Sequence, residues 1–226
     1  MASVVDICNL ALSAVGDEAT VASIDPPEGS AQATHCARFY PMALRFMLDY
    51  HSWNFAVTRV TLNLLDVTPV SGWLYAYAQP SDGISSIALY AAGAADDSDP
   101  KQFDLEILPD GTGVIYTNEP SPVLKYVAYV SNPARFSPLF TDALVWLLAS
   151  YLAGPILKGE TGIKHGQYCR GMFRTVVGQA MADDANQRKV EPEHRVDWLA
   201  SRQGINNTLD AAQNPWLASG ASSSIS

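Results

Sequence analysis

The sequence predicts an α+β fold: a helical bundle of about four helices with an inserted small antiparallel β-domain and an extended C-terminal tail. Three observations carry this. Apolar residues recur at helical spacing up to about residue 54 and again from residue 132 to residue 190. Between them the pattern alternates every second residue and is rich in aromatics, as half-buried strands require. Beyond Val190 the periodicity fades, and Ala218 to Ser226 is dominated by Ser, Gly and Ala. The expected organisation is a body from residues 1–54 and 132–190, a β-insert over 55–131 and a partly disordered tail over 191–226.

Ser3 and Asp6 have the spacing of a capping box, and Val4, Cys8, Ala11 and Val15 then share one helix face until Gly16 stops it. The run Asp25-Pro26-Pro27-Glu28-Gly29 is a turn-rich linker. A second helix starts near Ser30, with Phe39, Ala43, Phe46, Tyr50 and Trp53 as its expected buried stripe and a kink expected at Pro41. The strands expected next contain Trp73-Tyr75-Tyr77, Ile84 to Tyr90, Phe103-Leu105-Ile107, Val114 to Tyr116 and Val123 to Val130. Asp110-Gly111 is a strong hairpin signal between two of them. Helical periodicity returns after Asn132-Pro133, with Ser137 as N-cap and Pro138 at the first helical position. That helix is apolar on nearly all sides, so it should be the most buried element, with Gly154-Pro155 ending or bending it. Thr161 is the expected cap of a last helix with stripes Tyr168-Met172-Val176-Ala180 and Cys169-Phe173-Val177-Met181. Asp184 and Arg188 form an i,i+4 pair on its expected exposed face.

The chain of 226 residues is 48% hydrophobic and only 16% charged, against an average near 25% charged. Surface covered by other subunits is the simplest account of that deficit. The net charge of −9 argues against a surface that grips nucleic acid, which needs clustered Lys and Arg. A surface that lets DNA slide past is compatible with it. Cys8, Cys36 and Cys169 lack metal or redox spacing and read as buried free thiols of a reducing compartment. Met1-Ala2-Ser3 has neither a basic region nor a long apolar run after it, so no signal peptide is expected. The apolar stretch Phe136 to Leu157 is interrupted by Asp142, Ser150 and Gly154-Pro155 and reads as a core helix rather than a membrane span.

Reactive constellations are scarce. Asp96-Asp97-Ser98-Asp99 lacks the spacing, glycine and final glutamate of a calcium loop and reads as a solvated connection. Asp183-Asp184 reads as the polar face of a helix. His35, His51, His165 and His194 show no metal-ligand spacing, and no GxSxG elbow accompanies them. Gly111-Thr112-Gly113 is a turn rather than a phosphate loop. Trp73, Tyr75, Tyr77, Tyr90 and Tyr116 fit a small sheet's core better than a sugar-binding platform. Arg188, Lys189 and Arg195 are offset by Glu191, Glu193 and Asp197. Trp198 and Trp216, isolated in a polar tail, are docking candidates, either for a partner or for their own subunit.

The order of these elements resembles the tail tubular protein A family, the head–tail adaptors of short-tailed bacteriophages. The resemblance lies in Ala14-Val15-Gly16 with Ser23-Ile24, and in Arg38, Tyr40, Arg45 and Leu48 leading to Trp53-Asn54-Phe55-Ala56. It continues in Trp73-Leu74-Tyr75-Ala76-Tyr77 with Pro80-Ser81-Asp82, and in Asn132-Pro133-Ala134-Arg135-Phe136-Ser137-Pro138-Leu139-Phe140. It covers roughly residues 3–185. It implies a non-enzymatic virion protein without cofactor or metal, assembled in the host cytoplasm into a homo-oligomeric, dodecameric ring. Such a ring sits between the portal protein and the distal tail or nozzle protein, and DNA passes through it without sequence-specific binding. Arg38, Arg45, Arg188, Arg195, Trp198 and Trp216 are the expected subunit or partner contacts. No membrane contact is expected. The alternative is a glycan- or receptor-binding virion module that uses the aromatic β-domain.

Overall fold

Amides in the first turn of a helix have no intrahelical acceptor, and the chain's first helix meets that need reciprocally. In the computed structural model, which describes residues 2–70, 72–94 and 97–187, the Ser3 N–H donates to the Asp6 carboxylate at 2.8 Å. The Asp6 N–H donates to the Ser3 hydroxyl at 3.1 Å, which starts α1 (Val4–Val15). Gly16, at φ 87°, closes it in the left-handed region that glycine enters without strain. The Asn9 side chain then ties down the following linker through two hydrogen bonds to the Val21 backbone.

Ser30 caps α2 (Ala31–Tyr50), which runs unbroken through Pro41. Its buried face is Ala33, Cys36, Tyr40, Ala43, Leu44, Met47 and Leu48. This corrects the expected stripe: Phe39 and Phe46 are only half-buried, Tyr50 is exposed, and only Ala43 and Trp53 are interior. The buried face is mostly small or aliphatic, with Tyr40 its one ring. The other rings lie on the flank, where Phe46 and Tyr50 meet Phe173 edge-on at 6.2 and 6.0 Å.

The central helix is α3 (Pro138–Leu157), capped by Ser137 as expected and packed against α1, α2 and α4. Its length and hydropathy would suffice to cross a membrane, yet nine of its residues are buried in the bundle. The helix continues two residues past Pro155 rather than ending at Gly154-Pro155. Thr161 does not cap the next helix either. Lys158 at φ 56° and Gly159 at φ 58° reverse the chain, and α4 (Gly159–Asn186) starts at once with no side-chain cap. Gly162 makes the α3–α4 approach possible, since a Cβ there would lie 2.9 Å from the Ala153 carbonyl oxygen. On α4, Cys169, Phe173, Val176, Val177 and Ala180 are interior, whereas Tyr168 is exposed.

The insert forms two antiparallel three-stranded sheets. One has the order β1 (Val57–Thr61), β6 (Val123–Ala128), β3 (Gly83–Tyr90). The other has the order β2 (Tyr75–Ala78), β5 (Gly113–Thr117), β4 (Phe103–Ile107). The Asp110-Gly111 hairpin joins β4 to β5, with Gly111 at φ 88°. Strand β1 was not anticipated, because Val-Thr-Arg-Val-Thr lacks two-residue apolar alternation and four of its residues are exposed. Leu89 and Leu124 from one sheet and Tyr77 and Ile115 from the other share a small core. Ala56, Val127 and Val130 belong instead to the bundle's core, so the base of the insert is packed into the helical body.

Candidate functional site

The junction between α2 and the insert is built around Trp53. It is fully buried, its indole N–H donates to the Met47 carbonyl at 2.6 Å, and its ring stands edge-on to Phe140 at 5.0 Å. Phe55, Phe136 and Phe140 continue the cluster with centroids 4.8–5.5 Å apart. The two ends of the insert therefore meet at one aromatic plug: residues 53–55 lead into it and 136–140 lead out.

A polar lock sits beside the plug. The Asp184 carboxylate accepts the Asn54 N–H at 3.0 and 3.2 Å, and the Asn54 side-chain amide donates to the Asp184 carbonyl at 2.6 Å. His51 Nε2 lies 3.3 Å from the same carboxylate. Asp184 is only 6% exposed. This corrects the reading of Asp184 as part of a solvated helix face paired with Arg188. The carboxylate faces inward, because a buried acid needs donors and the end of α2 supplies them. Asp183 is exposed, as expected.

The other histidines are placed apart. His165 Nε2 contacts the Ala14 carbonyl at 2.9 Å, joining α4 to the end of α1, and His35 stacks on Phe39 at 6.3 Å. The cysteines are free and buried. Cys8 and Cys36 share a thiol–thiol hydrogen bond across α1 and α2, which together with burial pushes the Cys8 thiol up. The group of acids at 97–99 is paired rather than merely solvated. Asp97 accepts from Arg59 at 2.6 Å and from Lys125 at 2.7 Å, and these partners hold its carboxyl below the usual carboxylate range. Asp99 pairs with Lys101. Among the described residues no group of three or more His, Cys, Asp or Glu could hold a metal ion.

No protein-family model matches the chain, and no curated protein matches it. What the chain offers a partner is therefore read from its own surfaces.

Arg38 and Arg45 are exposed on the outward face of α2, and neither has an ion-pair partner among the described residues. Met42 lies between them and is 54% exposed. Arg188, Arg195, Trp198 and Trp216, together with Asp96 and His194, lie outside the described residues. The β-domain tyrosines do not form a shared outer platform. Tyr77 is 3% exposed and its hydroxyl donates to the Glu119 carbonyl at 3.0 Å, while Tyr90 and Tyr116 are interior.

Several recesses open among the described residues, and two of them border the helical body's junctions. A polar one of about 840 Å³ lies where the insert meets the body, between Asp82, Tyr126, Asn132 and Arg135. An apolar one of about 730 Å³ lies between α1 and the start of α3, lined by Leu10, Ala14, Phe136, Val145 and Trp146 with Asp142 at hand. Sequence reasoning missed the second, because its residues come from two segments that the fold brings together.

Proposed function

We propose that this chain is a non-enzymatic structural subunit of a short-tailed phage virion, a head–tail adaptor that forms a homo-oligomeric ring between the portal and the distal tail. One observation carries the reading. The helical body is interrupted between α2 and α3 by a β-domain whose entrance and exit meet at the Trp53–Phe140 plug. That is the arrangement in which the residues quoted for the resemblance fall. Two of the placed histidines fit the same view through polar structural contacts, His51 with Asp184 and His165 with Ala14; His35 stacks on Phe39, and its Nδ1 has no hydrogen-bond partner among the described residues.

Exposed apolar side chains such as Leu10, Met42, Leu74, Ile107 and Ile163 fit a subunit whose flanks are covered on assembly. The acidic balance of −9 fits a channel wall that does not hold DNA. The glycan-binding alternative needs Trp73, Tyr75 and Tyr77 exposed together, and it loses support because Tyr77 is interior while Trp73 and Tyr75 are half-buried.

Native mass spectrometry and negative-stain microscopy of the full chain, alone and with purified portal protein, test the reading. Rings, whether free or closed only on the portal, are the expected result. A chain that stays monomeric and does not bind the portal would overturn it.

A further inference from the structure

We infer that the apolar recess between α1 and α3 is the docking site for the outward face of α2 of a second copy, with Met42 as the inserted side chain. The inference rests on the ring reading only for closure; the contact itself follows from two complementary faces. One acidic group, Asp142, belongs to the recess itself, and a second, Asp6, stands outside its lining. Asp6 lies one helical turn before Leu10 on the same face of α1, its carboxylate held by the Ser3 N–H. The nearest basic side chain in sequence, Arg135, lines the polar recess, beside Asp82.

The α2 face has the opposite character. Arg38, Met42, Arg45 and Asp49 recur at positions i, i+4, i+7 and i+11 and are all exposed, so the face offers one apolar side chain flanked by two guanidinium groups, with the Asp49 carboxylate a turn further on. The two arginines are separated by about 10 Å along the axis, at about 1.5 Å per residue. Methionine is unbranched and adapts to irregular apolar gaps, which suits it to a recess lined by Leu10, Val145 and Trp146. Met42 is exposed on the face of α2 opposite its buried residues, and no α2 residue lines the recess, so the contact runs between copies. The two faces differ, so the interface is heterologous, the kind that generates rings when the rotation closes.

Disulfide trapping on the full chain tests this. A Leu10→Cys variant is mixed with a mass-tagged Met42→Cys variant and oxidised. The native Cys8, Cys36 and Cys169 are fully buried and do not compete. Tagged-to-untagged dimers should exceed those from a control pair, Leu105→Cys with Met42→Cys, by about tenfold, a ratio that corresponds to a modest preference in free energy. Adding Arg45→Glu to the tagged partner should remove that excess, and Asp142→Arg on the untagged partner should restore it. Equal yields in test and control pairs would overturn the contact, as would failure of the charge swap to restore it. So would persistence of the cross-link in an Arg38→Glu/Arg45→Glu variant. Portal-bound rings without the cross-link overturn this contact and leave the adaptor reading intact. The cross-link without portal binding supports the contact and counts against that reading.

Discussion

Replacing Asp184 by Ala separates the inward-facing lock from a solvated helix face. The substitution removes the carboxylate that accepts the Asn54 N–H and neighbours His51 Nε2. A hydrogen bond to a charged group contributes roughly 1.5–3 kcal/mol. The His51 contact is partly open to solvent, with a side chain 25% exposed, so screening limits it to at most about 1 kcal/mol. The expected loss is therefore about 2–3 kcal/mol, which for a domain of this size lowers Tm by roughly 5–10 °C. Thermal unfolding followed by circular dichroism, at one fixed protein concentration because assembly would shift Tm, measures it. Asp184→Asn keeps an oxygen for the Asn54 N–H and loses the charge, so it should cost less than half as much. A Tm for Asp184→Ala within about 1 °C of the parent would refute the reasoning, since an exposed polar side chain changes stability by less than about 0.5 kcal/mol.

Other substitutions follow from equally specific contacts. Gly162→Ala should destabilise despite alanine's better helix propensity, because its Cβ meets the Ala153 carbonyl at 2.9 Å and backbone cannot give way cheaply. Gly171→Ala and Gly178→Ala, on the same helix with open space around them, should each stabilise by up to about 1 kcal/mol; denaturant melts of all three compare them directly. The Tyr40 hydroxyl is buried with no hydrogen-bond partner among the described residues, and burial pushes that phenol up, so Tyr40→Phe should be neutral or slightly stabilising by the same assay. Asp97 should titrate below the ordinary 3.8 when its carboxyl is followed by NMR, chiefly because Lys125 donates to it, and Lys125→Met should raise that midpoint. Its folded-state value is depressed, so its small contribution to stability is present above the unfolded value and is lost as pH falls through the folded one.

Local chemistry made much of this fold legible. Ser3, Ser30 and Ser137 announce helix starts because an oxygen must meet a free amide there, and each does so. Asp110-Gly111 marks its hairpin because the turn needs a left-handed residue, and Gly111 supplies it. Where two readings satisfy the same local rule, sequence alone does not choose between them. On α2 both Phe39-Ala43-Phe46-Tyr50 and Cys36-Tyr40-Ala43-Met47 have helical spacing. The second faces the core, with Tyr40 buried among Cys36, Ala43 and Met47, while Phe39 and Phe46 lie on the flank. Strand β1 was silent for a related reason: at a sheet edge with four exposed residues, nothing forces apolar alternation.

Asp184 did carry a signal. Phe173, Val177, Ala180 and Asp184 step by 4-3-4, so the acid occupies the next position of a buried stripe. An acid in that register must find donors or turn the helix end outward, and the donors lie 130 residues earlier in the chain, at Asn54. Their position gives the lock its consequence. Asn54 is the first residue past the Trp53 plug, so the carboxylate fixes the point where the chain leaves α2 for the β-domain to the last turn of α4. The base of the insert is held on one side by Ala56, Val127 and Val130 in the bundle core and on the other by this hydrogen-bonded end. In the ring proposed above, a β-domain that keeps one orientation relative to its helices in every copy would need both constraints. Apolar packing alone tolerates small rotations, whereas two hydrogen bonds of fixed direction between Asn54 and Asp184 do not.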